Sequence, residues 1–121
     1  MKILPHKATD VQLNWMVAQA MELAVSIWKG PKGPYLTLTN KPLVIYNPVT
    51  YSSQGFDVIE RGKFDFFWNT TSGKWSVCGW DRRAKRAVTA WNVSLLRATC
   101  ECLVLTKYGD EDEIEVPEDL V

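Results

Sequence analysis

A short turn between two runs of alternating large side chains constrains the fold of this chain more than any other feature. The stretch Lys63–Trp80 reads KFDFFWNTTSGKWSVCGW, with the glycine-containing segment NTTSG at its middle. Every second position on either side of that segment shares one face: Phe64, Phe66, Trp68, Trp75, Val77 and Gly79. A period of two on both sides of a short turn predicts a β-hairpin. The fold therefore contains an antiparallel sheet with this hairpin at its centre.

Helical patterns flank the hairpin on both sides. The segment ATDVQLNWMVAQAMELAVSIW opens with Thr9, followed three residues later by glutamine, which is the spacing of a capping box. Its apolar residues recur every three or four positions and predict a helix from about Asp10 to Val25. The segment SLLRATCECLVLTKYG predicts a second helix, with Asn92 or Ser94 as its N-cap and Gly109 at its end.

The other segments are shorter. KGPKGP, Lys29 to Pro34, predicts a flexible turn or linker, and YLTLT, KPLVIY and FDVIERG predict short strands. DRRAKRAVT has no clear period and predicts an exposed loop. We expect an α+β fold, in which a small antiparallel sheet of three to five strands packs against an N-terminal and a C-terminal helix. We expect one domain over residues 1–121, with residues 1–8 frayed and residues 110–121 as an acidic tail.

Composition excludes several classes of function. With 46% hydrophobic and 23% charged residues, the chain resembles an ordinary globular protein, and its apolar runs are too short for a membrane span or a signal peptide. We therefore expect it to act in the cytoplasm. The single histidine, His6, argues against a zinc site or a histidine-based dyad. Cys100 and Cys102 point apart on a helix and are expected to be small buried hydrophobic residues.

The sequence contains no convincing pair of carboxylates for acid–base catalysis. Asp57, Glu60 and Asp65 are the candidates in the middle of the chain, and on a strand Asp57 and Glu60 would face opposite sides. No nucleophile elbow, phosphate-binding loop or metal-ligand cluster is recognisable. We expect no enzymatic activity, no metal and no cofactor.

Charge divides the chain into a basic body and an acidic tail. All 14 Lys and Arg residues precede Asp110, together with seven acidic residues, so the body carries a formal +7. The tail DEDEIEVPEDLV carries the other seven acidic residues. It either imitates an anion or folds back over the basic surface. The densest basic segment contains Arg82, Arg83, Lys85 and Arg86, which suits an anion patch or a solvated loop that pairs with the tail.

The stretch NPVTYSSQGFDVIERG combines turn residues with many short polar side chains. Asn47, Thr50, Tyr51 and Gln54 suit the orientation of a small polar ligand, although asparagine and serine also build turns. Six tryptophans are unusual in 121 residues. We expect Trp15 and Trp91 in the core. Trp68, Trp75 and Trp80 cluster near the basic segment, where they either stack on a base or fill the core.

Three blocks of the sequence resemble the NinX family of tailed-phage proteins: LNWMVAQA at 13–20, NPVTYSSQGFDVIER at 47–61 and LLRATCECLVLTKYGDEDEIEVPEDL at 95–120. They lie in the order of the family and cover somewhat under half of the chain. The chain departs from the family pattern in three places. Phe56 replaces a second glycine, the tail has two extra acidic residues, and DRRAKR has no counterpart. The matching motif positions are Trp15, Pro48, Thr50, Gln54, Gly55, Glu60, Arg61, Trp75 and Arg97.

The resemblance implies a small phage accessory protein that acts in the infected bacterium, without implying a mechanism. We expect a non-catalytic homo-oligomer that sequesters a small anionic nucleotide-type signal of host defence. Trp75 would supply the stacking face, Arg61 and Arg97 the cations, and the segment from Asn47 to Gln54 the polar contacts. The alternatives are an inhibitor of a host defence protein that uses the acidic tail as a nucleic-acid mimic, and a weak nucleic-acid-binding protein.

Overall fold

The computed structural model describes residues 1–110 and 112–121. Within these residues the helices are α1 (Asp10–Ala20), α2 (Ser52–Gly62) and α3 (Leu95–Tyr108), with 3₁₀ turns at Pro5–Lys7 and Glu118–Leu120. The strands are β1 (Lys2–Ile3), β2 (Val25–Gly30), β3 (Gly33–Leu38), β4 (Lys41–Ile45), β5 (Asp65–Asn69), β6 (Lys74–Asp81), β7 (Arg86–Asn92) and β8 (Ile114–Glu115).

The described strands form three separate antiparallel sheets. β1 pairs with β8, β2–β3–β4 form a second sheet, and β5–β6–β7 form a third. The α+β class is confirmed, as is the hairpin, in which Trp68 pairs with Trp75. The KGPKGP segment is also a hairpin turn instead of a linker, because Gly30 pairs with Gly33 and residues on either side belong to β2 and β3.

Helix α1 begins where its capping box predicts. The backbone N–H of Gln12 donates to Thr9 Oγ1 at 3.4 Å, and the backbone N–H of Thr9 donates to Gln12 Oε1 at 2.9 Å. The helix ends at Ala20, five residues before the predicted end, since Glu22 adopts a φ of 58° and the chain then enters β2. Its residues Leu13, Met16 and Val17 are fully buried.

The predicted strand FDVIERG is wrong, because these residues form most of α2. Phe56 and Val58 alternate like strand residues, yet Val58 is buried and Phe56 is exposed on a helix. No side chain caps the start of α2. A Cβ atom at Gly55 would lie 2.5 Å from the Leu96 side chain and 2.9 Å from the carbonyl oxygen of Pro48. Glycine therefore allows α2 to approach α3 closely, and this packing substitutes for strong local helix signals.

Helix α3 lies at the centre of the molecule. It contacts α1, α2 and the β5–β6–β7 sheet, and every residue from Ala98 to Val104 is buried. Ser94 is its N-cap and accepts a hydrogen bond from the backbone N–H of Arg97, whereas Gly109 follows its last residue. Both boundaries of this helix were predicted correctly. Cys100 and Cys102 are buried free thiols, as expected.

Strand β7 replaces part of the loop predicted at DRRAKRAVT. Only the residues between β6 and β7 form the turn, and the chain pairs with β6 from Arg86 onward. Val88 and Ala90 face α3, while Trp91 on the opposite face is exposed. The expectation that Trp91 lies in the core is therefore wrong.

The two ends of the chain are held together. Lys2 pairs with Glu115 and Ile3 with Ile114, so the first residues are not frayed. The acidic tail packs onto the body, and its residues Val116 and Leu120 are buried. None of the helices in the described part of the chain combines the length and apolar character needed to cross a membrane.

Candidate ligand-binding surface

Asn47, before α2, and Gln54, in its first turn, use their side-chain amides within the fold. The side-chain amide of Asn14 donates to Asn47 Oδ1 at 2.9 Å. Gln54 Oε1 accepts from the backbone N–H of Asn47 at 2.6 Å, and Gln54 Nε2 donates to the carbonyl oxygen of Ile45 at 2.8 Å. These bonds fix the path of the chain into α2. Thr50 and Tyr51 are exposed, and their role in ligand binding stays a prediction.

Arg61 and Trp75, two of the three other residues of that hypothesis, lie on different elements. Arg61 is exposed near the end of α2, and Trp75 lies on β6, where its ring meets Trp68 edge to face at a centroid distance of 5.4 Å. Among the described residues no hydrogen bond links Arg61 to either tryptophan. Arg61 lies near the phenol of Tyr46, whose pKa is raised above its ordinary value by burial and, less strongly, by Cys100 and Asp57, while Arg61 lowers it.

The helical conformation of α2 also changes the argument about carboxylates. Asp57 and Glu60 are three residues apart on a helix, so they lie on neighbouring positions of one surface instead of opposite faces of a strand. The geometric reason given for separating them is therefore wrong. Both side chains are exposed. The absence of catalysis stays an expectation that rests on the other residues.

Arg97 is enclosed by partners from the chain itself. Its Nη1 donates to Asp10 Oδ1 at 2.7 Å and its Nε donates to Glu101 Oε2 at 3.3 Å. Its Nη2 donates to the carbonyl oxygens of Ala8 at 2.6 Å and Pro5 at 3.4 Å. Four of the five donors of a guanidinium are thus engaged. Arg97 joins the N-terminal segment to α3, and this does not favour a direct role in ligand binding.

Glu101 of α3 is a buried carboxylate beside the N-terminal segment. Burial raises the pKa of Glu101 above its ordinary value of 4.5, while Arg97 and Asn92 act in the opposite direction. The net direction shows that desolvation of the carboxylate outweighs the ion pair.

The basic segment is partly neutralised by the chain. Arg86 pairs with Asp110 of the tail, and the guanidinium of Arg83 lies 3.8 Å from the buried carboxylate of Asp81. Arg82 and Lys85 are exposed and have no ion pair with any carboxylate in residues 1–110 and 112–121. The alternative in which the tail folds back over the basic surface is confirmed at Arg86.

An exposed aromatic surface lies on the face of the β5–β6–β7 sheet that points away from α3. We call it the aromatic face. It carries Phe67, Trp80 and Trp91, which are exposed to 58%, 57% and 59%. Small or polar residues separate these rings and form the floor of the aromatic face: Asp65, Ser76, Cys78, Ala87 and Thr89.

The strand register places two rings on either side of a small residue. Phe67 pairs with Ser76, and Ser76 pairs with Trp91, so the three residues form one row across the sheet. The outer strands of such a row are separated by two strand spacings, about 9.6 Å. A planar ring that contacts an aromatic ring on each side needs about 7 Å between them. The strand spacing therefore leaves room for one flat ring above Ser76, and we call this row of Phe67, Ser76 and Trp91 the slot.

The floor of the aromatic face contains the most accessible thiol. Cys78 Sγ lies 3.3 Å from Thr89 Oγ1 within hydrogen-bonding distance. Burial raises the pKa of Cys100 and of Cys102 to about 12, so these two thiols stay protonated.

Sequence reasoning did not identify Phe67 and Trp91 as candidate site residues. For Phe67 a signal existed, because the run FDFFW places large residues on both faces of β5. A strand with one face buried would alternate with polar residues instead. Trp91 had no comparable signal, since β7 itself was not recognised.

A family model described as Bacteriophage P22, NinX matches residues 7–107. The chain belongs to this NinX family. The match includes the whole aromatic face and ends before the acidic tail. A search of curated proteins found no match. Membership in the NinX family supports a phage accessory protein, and the chemistry of the site must come from its residues.

Proposed function

We propose that this NinX-family protein is a non-catalytic binder that sequesters a small anionic nucleotide-type molecule in the cytoplasm of the infected bacterium. Such a protein removes a host defence signal from solution, as a sponge does. The observation that carries the proposal is the row of Phe67, Ser76 and Trp91, which places two exposed rings across the aromatic face from each other. Compared with the sequence hypothesis, the proposal moves the stacking role from Trp75 to these residues.

Stacking supplies a large part of the expected affinity. A base that stacks on an aromatic side chain contributes about 1–3 kcal/mol per base. Exposed aromatic rings are unfavourable in water. Burial of their apolar surface against a flat ligand therefore adds to the binding free energy. The floor adds hydroxyl groups of Ser76 and Thr89, which suit hydrogen bonds to a sugar or a base edge.

Three cations and one carboxylate, Asp65, lie on or beside the aromatic face, and their net positive charge favours an anionic ligand. Trp80 lies next to the turn between β6 and β7, which carries the exposed cations Arg82 and Lys85. Lys74 lies at the other end of β6 on the same face as Ser76. Cations at both ends of an aromatic surface suit a molecule with a flat ring and a phosphate.

The runner-up, a nucleic-acid mimic built from the tail, receives less support. A mimic needs a row of free carboxylates, whereas Asp110, Glu115, Glu118 and Asp119 all pair with cations of the chain. The tail contributes buried residues to the fold as well. Direct binding of nucleic acid is tested by measuring affinity at increasing salt concentration, because phosphate contacts weaken steeply as salt rises.

We also propose that the protein forms a homo-oligomer. The outer face of the β2–β3–β4 sheet exposes Trp28, Tyr35 and Ile45, and Leu43 beside them is 97% exposed. A contiguous apolar surface of this kind is typical of protein–protein contacts.

The test is calorimetric titration with a panel of nucleoside monophosphates in 0.5 M salt, with inorganic phosphate as the ligand that lacks a ring. We expect nucleotides to bind and phosphate alone not to bind. Phe67→Ala and Trp91→Leu should each weaken binding about tenfold or more, since stacking is worth about 1–3 kcal/mol. Phe56→Ala is the matched control, because this phenylalanine is as exposed as Phe67 and lies on α2, away from the aromatic face. Equal affinity in all variants would exclude the slot, and no binding by any nucleotide would exclude the function.

A further inference from the structure

A second concave site lies at the free edge of β7. Its volume is about 360 Å³, near the lower end for ligand pockets and suited to a single base or nucleoside. The 3₁₀ turn at Pro5–Lys7 forms one wall, and α3 forms another. The residues that define its chemistry are His6, Trp91, Glu101 and Asp110.

The cavity shares Trp91 with the slot of the aromatic face and otherwise has a different lining. Its lining contains residues of β7, such as Thr89, Ala90 and Trp91, but none of β5 or β6. Trp91 therefore stands between the two sites, with the slot on the side of β6 and the cavity on the other side.

The edge of β7 offers backbone groups to this cavity. β7 pairs with β6 and has no strand on its other side in the described part of the chain. An edge strand presents alternating N–H and C=O groups that lack partners in the sheet. No other main-chain hydrogen bond among the described residues uses the backbone of residues 86–92. The cavity thus offers both donors and acceptors along one wall.

Glu101 supplies the strongest acceptor. Its side chain is only 4% exposed, and Arg97 Nε holds one of its oxygens at 3.3 Å. A carboxylate accepts about four hydrogen bonds, so Arg97 and Asn92 leave acceptor positions open. Arg97 also binds the carbonyl oxygens of Pro5 and Ala8, on either side of His6. It is a positioning residue that fixes both the wall and Glu101.

The balance of charge indicates which ligand fits. Glu101 shares Arg97 with Asp10, and Asp110 is paired with Arg86, so these five groups carry a formal charge of −1. A phosphate would meet two carboxylates, and a cation would meet the guanidinium of Arg97 beside Glu101. A neutral planar ring that donates several N–H groups satisfies Glu101 and stacks on the indole of Trp91.

We propose that this cavity binds a guanine-type base, whose ring N–H and exocyclic amino group donate together to the carboxylate of Glu101. Adenine and cytosine each present one amino group beside a ring acceptor on that edge, and the acceptor would face the carboxylate. The indole of Trp91 covers the ring. This inference goes beyond the proposed function, since it concerns a separate cavity and an uncharged group.

The test uses guanosine, inosine and adenosine, none of which carries phosphate. Inosine is the matched ligand, because it differs from guanosine only by lacking the 2-amino group. Binding is followed by the NMR signal of the Trp91 indole N–H, assigned by comparison with Trp91→Phe. Guanosine is expected to bind about tenfold or more tightly than inosine, as for other bidentate contacts to a base edge, and adenosine more weakly than both.

Glu101→Gln should remove the preference for guanosine. The NH₂ group of glutamine would face the ring N–H and amino group of guanine, while its oxygen still accepts from Arg97. Glu60→Gln, a change at an exposed carboxylate on α2, should keep it. Equal affinity for guanosine and inosine in the unaltered protein would overturn the proposal without any variant, as would no shift of the Trp91 signal or a preference that survives in Glu101→Gln. Because Trp91 borders both sites, the nucleoside titrations are repeated in Phe67→Ala, which disrupts the slot and leaves the lining of the cavity unchanged.

Discussion

Replacing Arg97 with alanine is expected to destabilise the protein by about 3 kcal/mol at pH 7. Breaking a buried ion pair by removing one partner costs about 3–5 kcal/mol, because the other charge stays buried. Glu101 is 4% exposed and meets this condition. Asp10, at 62% exposure, contributes at most about 1 kcal/mol. Glu101 can take up a proton when its partner is lost, which limits the total to the lower end of the range.

Urea unfolding followed by circular dichroism measures this loss. With a slope of about 2 kcal/mol per M, the midpoint should fall by about 1.5 M. Asp10→Asn is the control for the exposed partner and should cost less than about 1 kcal/mol. In the double variant Arg97→Ala/Glu101→Gln the buried charge is gone, so about 1–2 kcal/mol should return.

Two results would refute this reasoning. A loss below about 1 kcal/mol for Arg97→Ala would mean that water reaches Glu101 and that the ion pair behaves as a surface pair. Equal destabilisation of the single and the double variant would mean that the loss comes from the carbonyl contacts and not from an unpaired carboxylate.

Three further predictions follow from burial and exposure. Because the native pKa of Glu101 is raised above 4.5, its contribution to stability is fully present below about pH 4.5 and is lost as the pH rises through the native pKa. The stability of Glu101→Gln relative to the unaltered protein should therefore increase from pH 4 to pH 8 in urea titrations. Iodoacetamide should label Cys78 first, with Cys100 and Cys102 reacting only on unfolding, and a bound nucleotide should slow the labelling of Cys78. Leu43→Lys should lower the mass measured by light scattering if the protein self-associates through its β2–β3–β4 sheet.

Each of these predictions can be contradicted by a single measurement. A stability difference that stays constant across the pH range would show that Glu101 keeps the same affinity for its proton in the native and unfolded states. Rapid labelling of Cys100 would place that thiol at the surface. An oligomer that persists in Leu43→Lys would require a different interface.

The elements that sequence reasoning identified are those with strong local signals. The capping box at Thr9, the N-cap at Ser94 and the glycine after α3 each act within a few residues. The hairpin of β5 and β6 likewise depends on a nearby turn. Such signals are visible in a short window and do not need the rest of the fold.

The elements that it missed depend on distant contacts. α2 has no side-chain cap and contains Gly55, so its local helix propensity is weak, and it is formed against Leu96 of α3. Similarly, the charged residues before β7 hide a strand that exists because it pairs with β6. In both cases tertiary packing overrides the local pattern.

The candidate site was even less accessible from the sequence. Arg97 and Glu101 are visible as a helical pair four residues apart, but Asp10, Pro5 and Ala8 lie 87 to 92 positions away along the chain. Without these distant partners, Arg97 resembles an unpaired cation that is available to a ligand. The slot likewise depends on the register of three strands, which no pattern within one strand specifies.

The short ladder of β1 and β8 has a consequence for the order of folding. It joins residues 114 positions apart at the N-terminal amine and Glu115. Closing a loop of that length costs about 4 kcal/mol in chain entropy. This cost exceeds the stabilisation that two residue pairs contribute. The ladder can therefore form only once the rest of the chain has brought its ends together. A pair of fluorophores at the two ends would report completion of the native state, and energy transfer between them should be the slowest signal to appear in a refolding experiment.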